Sequence, residues 1–130
     1  MNQRGNVYDA MCPTRLVLDR IADKWNMLIV DHLALGTVRF GALQRAICGV
    51  SPKVLTHSLR ELERDGIVAR RVYASVPPKV EYSLTPLGQT LIPLVAAIRD
   101  WAEGNIGQVL AAHQTFDQRQ QAEAEPAPAF

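Results

Sequence analysis

The sequence predicts a mainly helical domain with one small β-hairpin. Three observations carry this expectation. Apolar residues recur at helical spacing over residues 12–66 and again over 87–101. Between these stretches the period falls to two, with Val80, Tyr82 and Leu84 alternating with Glu81 and Ser83. Cap and turn residues stand at the borders: Asp23, Gly36, Ser51-Pro52, Gly66 and Thr85-Pro86.

Cys12-Pro13 opens the first helix, because proline suits a first helical turn. Val17, Leu18, Ile21 and Trp25 give it an apolar face. Asp23 caps a second helix, with Trp25, Leu28, Ile29 and Leu33 inward and Gly36 as its stop. A short third helix follows Arg39-Phe40 and turns Leu43 and Ile47 inward.

The fourth helix is the best marked. Ser51 is its N-cap, Pro52 its first residue and Gly66 its end. Leu55, Leu59 and Leu62, spaced by four and three, form one apolar stripe. Lys53, Thr56, His57, Arg60 and Arg64 fall on the other side. Two strands follow, from Ile67 to Tyr73 and from Val80 to Leu84. The segment joining them holds Pro77, Pro78 and Lys79, and its prolines stiffen the tip.

The last helix starts near Thr85-Pro86. Leu87, Leu91, Leu94, Ile98 and Trp101 recur at four, three, four and three, a seam of heptad type. Pro93 implies a kink or a fresh start within it. Residues 1–11 show no periodicity and read as a mobile arm, and 12–113 as the folded domain. Residues 114–130, rich in Gln, Ala, Glu and Pro, read as a disordered tail.

Composition narrows the function. The chain has 130 residues, long enough to bury a core unaided. Two cysteines exclude a disulfide scaffold and a four-thiolate zinc site. Cys12, Cys48 and the three histidines show no ligand spacing, and no HExxH, GxSxG or phosphate-cradling glycine loop is present. No cofactor, metal or catalytic activity is expected. No apolar run is long enough to span a bilayer, and residues 1–5 lack a signal peptide's apolar stretch. A cytoplasmic, nucleoid-associated protein with reduced thiols is expected.

The net charge of +1 hides an asymmetry. Residues 37–79 carry eight Lys and Arg against three Asp and Glu, a net +5. The remainder carries six positive and ten negative residues, a net −4. A basic centre between acidic flanks suits an anionic partner.

Three helices, a fourth with a basic outer face, a hairpin and a further helix stand in the order of a winged helix-turn-helix. Such a helix docks by its apolar side and enters the DNA major groove with the other. Cationic side chains there and on the hairpin meet phosphates and release counterions.

The residues also carry a resemblance. Cys12-Pro13, Ile21, Lys24-Trp25, Arg39-Phe40, Leu43 and Ile47, with Gly49-Val50-Ser51-Pro52-Lys53-Val54-Leu55, are its first part. Leu59-Arg60-Glu61-Leu62-Glu63-Arg64-Asp65-Gly66-Ile67-Val68 continues it. Tyr73, then Val76-Pro77-Pro78-Lys79-Val80-Glu81-Tyr82-Ser83-Leu84-Thr85, Leu87-Gly88 and Asp100-Trp101 complete it. The chain resembles the HxlR-type bacterial transcriptional regulators. It departs from their pattern at Ala22-Asp23 and Gly41-Ala42. The resemblance implies a dimeric winged-helix regulator, and a cysteine at the position of Cys12 that senses oxidants or electrophiles in some members.

Arg39, Ser51, Lys53, Thr56, His57, Arg60 and Lys79 are the candidate DNA contacts, with Arg39 and Lys79 on phosphates. Arg64 also reads as a local ion-pair residue beside Glu61, Glu63 and Asp65. Cys12 is the candidate redox sensor, because it precedes Pro13 at the positive end of the first helix with Arg15 in the same turn. Cys48 reads as a packing residue, as do Trp25 and Trp101. Val17, Leu18, Ile21, Leu87, Leu91, Leu94, Ile98 and Trp101 are the candidate dimer contacts. The expected partners are a double-stranded palindromic operator and a second copy of the chain, with no membrane. Two other classes remain open at this point: a winged-helix protein-interaction module, and a small thiol enzyme built on Cys12.

Overall fold

The computed structural model describes residues 4–124. In chain order they form α1 (Thr14–Ala22), α2 (Lys24–Leu33), β1 (Val38–Arg39), α3 (Phe40–Ala46) and α4 (Pro52–Arg64). Then come β2 (Val68–Tyr73), β3 (Lys79–Leu84), α5 (Pro86–Gln89) and α6 (Ile92–Ala124). One compact unit ends at Val95, and the rest of α6 is a second unit from Ala96 onward.

The break between α1 and α2 is set by Asp23. Its backbone is extended, and its carboxylate accepts from the Trp25 and Asn26 amides at 2.9 and 3.1 Å. The Asn26 side chain then donates to the Arg20 carbonyl at 2.8 Å, closing the end of α1. At α4, the Ser51 hydroxyl accepts from the Val54 amide at 3.1 Å, and Pro52 occupies the first turn. Gly66 ends α4 at φ +77°, a conformation that glycine adopts without strain. Its amide donates to the Glu63 carbonyl and the Ile67 amide to the Leu62 carbonyl, so the freed carbonyls of the last turn are satisfied.

The sheet is antiparallel, in the order β1-β3-β2. Val68 pairs with Leu84 and Tyr73 with Lys79, which is the expected hairpin. β1 adds a strand not anticipated, pairing Val38 with Tyr82 and Arg39 with Glu81. Two residues are too few to display a period of two.

The core gathers Ile29, Val30 and Leu33 of α2, Leu43 of α3, and Leu55, Leu59 and Leu62 of α4. Ile47, Val50, Ile67, Val68 and Val95 complete it. Leu28, expected inward, is exposed, and Val30 takes the inward place. Trp25 packs half-buried against this core.

Thr85 joins the sheet to α5. Its hydroxyl donates to the Gly66 carbonyl at 2.5 Å and accepts from the Gly88 amide at 3.0 Å. Gly88 is buried against the Ile67 carbonyl, where a Cβ would overlap it.

Both ends differ from expectation. The arm is tied down: Arg15 donates to the Val7 and Tyr8 carbonyls at 2.9 and 3.3 Å. Asn6 and Asp9 side chains accept from the Tyr8 and Met11 amides in local turns. At the other end α6 starts afresh beside Pro93 and runs to Ala124, through residues expected to be disordered from 114. Gln, Ala, Glu and Arg are good helix formers, so low hydrophobicity there did not mean absence of helix. The remainder of the expected arm and tail, residues 1–3 and 125–130, lies outside the described residues.

The expected seam divides. Leu91 is half-buried and packs on the core with Val95 beyond it, whereas Leu87, Leu94, Ile98 and Trp101 are exposed. The break at Thr90 between α5 and α6 interrupts the heptad phase. Trp101 is therefore not a core residue; it is 64% exposed. Val17 and Leu18 of α1 are exposed and Ile21 is half-buried. Among the described residues no helix is long and apolar enough to cross a membrane.

Candidate nucleic-acid interface

α4 is divided along its length. Leu55, Ser58, Leu59 and Leu62 are buried, and Lys53, Thr56, His57, Arg60 and Arg64 are exposed. The four- and three-residue spacing of the leucines fixes this division: it sets one inward stripe, which Ser58 shares, and turns the opposite side of the helix outward. Lys53, Thr56, His57 and Arg60 thus share the outer side of one helix. Ser51 differs in role: its hydroxyl oxygen accepts the cap hydrogen bond from Val54.

The wing supplies a second cationic group. Arg39 at the end of β1 and Lys79 at the start of β3 line one cleft of about 450 Å³, together with Ser75, Val76, Pro77 and Pro78. β1 is what brings Arg39 there, by pairing with β3. Arg39, Lys79 and the prolines are exposed, and Val76 at the tip is fully so.

α4 is held from behind by α1. The Arg20 guanidinium pairs with Glu61 and, at 2.6 Å, with Asp65. Glu61 also pairs with the exposed His57 ring one turn earlier. Sequence reasoning placed Glu61 and Asp65 as partners for Arg64 and missed Arg20, which lies 45 positions away from Asp65 in the chain. Arg64 itself forms no ion pair among the described residues. A short-range charge pattern cannot reveal a partner on another helix.

Cys12 lies ahead of α1, partly exposed. Its sulfur accepts from the Asn6 amide at 3.4 Å and lies 3.1 Å from the Thr14 hydroxyl. The Asn6 amide lowers the thiol pKa from its ordinary value of 9.0, aided by Thr14, while slight desolvation and the Asp9 charge oppose this. Arg15, expected to assist, instead spends its guanidinium on the Val7 and Tyr8 carbonyls. Cys48, expected in the packing, is exposed, because it lies beyond the end of α3 next to the left-handed Gly49.

Comparison with known proteins agrees with this architecture. Residues 20–109 match the HxlR-like helix-turn-helix family. The chain is similar to the HTH-type transcriptional regulator YtfH of Escherichia coli strain K12. They are 49% identical over 109 residues, 84% of this chain and 86% of the relative. The structure of the transcriptional regulator ytfH from Salmonella typhimurium is similar with a TM-score of 0.81 and 48% identity, over 85% of this chain and 99% of that one. The redox regulator HypR in its reduced form is similar with a TM-score of 0.70 and 43% identity, over 76% and 98%. By fold and by sequence, the chain belongs to the HxlR-like helix-turn-helix family of transcriptional regulators.

Proposed function

We propose that the protein regulates transcription by binding a palindromic operator as a homodimer, under control of the Cys12 thiol. The division of α4 carries the reading. Its leucine stripe is buried and Lys53, Thr56, His57 and Arg60 stand outward, as a helix entering a major groove requires. Arg39 and Lys79, sharing one cleft on the wing, supply phosphate contacts beside it.

The exposed Leu94, Ile98 and Trp101 of α6, and Val17 and Leu18 of α1, supply apolar surface for a second copy. A twofold axis through such a contact would set the two α4 helices about 34–36 Å apart, one turn of DNA.

The lowered pKa and partial exposure of Cys12 favour a reactive thiolate. The likeness to HypR, a redox regulator by its title, supports the same reading. In an addition to a quinone, a bond forms between the sulfur and a ring carbon, and a solvent proton completes the product. The adduct occupies the space where Asn6 and Thr14 meet the sulfur, and so displaces the arm at the head of α1. α1 is tied to α4 through Arg20, so the displacement reaches the DNA-reading helix.

The test is a gel shift on DNA from the protein's own promoter at several salt concentrations, before and after quinone, in the parent and in Cys12→Ser. We expect salt-dependent binding, altered by quinone in the parent alone. Absence of binding at low salt would overturn the DNA reading. A quinone response that survives in Cys12→Ser, or is missing from the parent, would overturn the sensor.

A further inference from the structure

The side of α4 turned toward β2 has a feature that DNA reading does not require. A groove of about 610 Å³ runs between the two elements. Thr56, Arg60, Glu63 and Arg64, one to two turns apart, form one wall. Arg70 and Tyr82 of the sheet form the other, and the buried Leu59 is the floor. Arg70 and Tyr82 are adjacent because they are register partners across β2 and β3.

The groove holds three guanidiniums and one carboxylate. Glu63 offsets only Arg70, at a loose 3.6 Å, with both side chains well exposed. Arg60 and Arg64 have no ion-pair partner among the described residues. Burial holds the Tyr82 phenol above its ordinary pKa of 10.0, the Arg70 and Arg60 charges pulling the other way and Glu63 adding to the rise. Tyr82 therefore stays a neutral hydroxyl that can donate. The volume falls in the range of small-molecule sites and exceeds what a bare inorganic ion fills. Leu59 and the Tyr82 ring offer apolar surface that such an ion would leave unused.

We propose that this groove binds a small organic anion. Its carboxylate or phosphate head is held by Arg64 and Arg70, and its apolar or aromatic body lies on Leu59 and the Tyr82 ring. The planar guanidinium fork suits such a head, donating paired hydrogen bonds to its oxygens. The occupant displaces Glu63 from Arg70, so Glu63 opposes binding. Thr56 and Arg60 belong both to this groove and to the DNA-reading side of α4. A bound anion therefore places negative charge beside Thr56 and Arg60 and weakens operator binding. That consequence rests on the proposed function; occupancy of the groove does not.

The experiment titrates the full-length protein with benzoate as probe, reading backbone amide shifts. Benzamide serves as the neutral isostere and inorganic phosphate as the bare anion. We expect saturable benzoate shifts at Thr56, Glu63, Arg64, Arg70 and Tyr82, and none with benzamide. Arg64→Ala and Arg70→Ala each weaken benzoate by roughly ten- to a hundredfold, the loss of a charge-assisted hydrogen bond, with unchanged circular dichroism. Glu63→Gln tightens it. Absence of saturation, an equal response to benzamide, full reproduction by phosphate, or weaker binding in Glu63→Gln would each overturn the proposal. So would loss of duplex binding in Arg64→Ala and Arg70→Ala without any benzoate shift, which would assign the groove to DNA backbone phosphates. A gel shift on the parent runs alongside. Duplex binding without benzoate shifts sinks the groove alone, and benzoate shifts without duplex binding sink the DNA reading alone.

Discussion

The Arg20 guanidinium on α1 and the Asp65 carboxylate at the end of α4 lie 2.6 Å apart, with three-quarters of the Arg20 side chain out of solvent. Glu61 completes the pair into a triad. Arg20→Ala should lower stability by about 1 kcal/mol, near the top of the range for partly exposed pairs because two carboxylates lose one partner. Urea unfolding should show a lower midpoint with an unchanged slope. A changed slope, or no shift, would mean that α1 is not fastened to α4 in this way.

The thiol of Cys12 should alkylate at lower pH than a free cysteine. In a Cys48→Ser background, the iodoacetamide rate followed by intact mass should reach half its maximum below pH 9.0. Thr14→Val should move that midpoint upward by removing a hydroxyl partner of the sulfur. The stabilisation linked to the lowered pKa is present above the unfolded thiol's value. It is lost as pH falls through the folded one.

On the DNA side, the two cationic groups should behave differently. Lys53→Ala or Arg60→Ala should cost about 1–3 kcal/mol and relax one operator position. Arg39→Ala or Lys79→Ala should weaken all sequences alike and reduce the salt slope by roughly one each. Operator titrations at several salt concentrations separate these patterns. Parental affinity in both Lys53→Ala and Arg60→Ala would remove α4 from the groove.

Self-association should depend on the exposed stripe of α6. Leu94→Glu with Trp101→Glu should shift sedimentation at micromolar concentration from dimer to monomer while helical content persists. An unchanged sedimentation coefficient would place the dimer contact elsewhere.

Gly88 tests the docking of α5 on the sheet. Gly88→Ala sets a methyl group against the Ile67 carbonyl and should cost about 1–3 kcal/mol. Urea unfolding measures it, and Gly104→Ala, where a Cβ meets nothing, should cost nothing comparable.

The elements that announced themselves in the sequence were those with a strong local signature. Ser51, Pro52, the leucine triplet and Gly66 mark α4 almost to the residue, because capping and helical spacing are local physics. The wing's alternation marked β2 and β3. β1 was hidden because two residues display no period, yet it delivers Arg39 to the wing cleft. The cationic groove between α4 and β2 was hidden for a related reason. Arg70 and Tyr82 come together through strand register, and α4 meets them only through packing. Arg20 illustrates the same limit, since its partners lie at a helix four elements further along the chain. The division of the heptad seam was hidden as well, because the break at Thr90 that separates Leu87 from the residues of α6 leaves no mark in the spacing.

The leading partner of the Cys12 sulfur is the backbone amide of Asn6, not a side chain. Every amino acid except proline carries that donor, so the thiol's acidity is largely indifferent to what stands at position 6. It depends instead on the path of the arm, which Gly5 shapes by passing so close to Thr14 that a Cβ would collide with its hydroxyl. Sequence drift elsewhere in the arm can thus leave the donor in place, provided that the length, Gly5 and the turn-forming, charged Asp9 persist. A fusion or tag joined ahead of Gly5 falls on this same lever and would retune the thiol without altering any residue of the folded core.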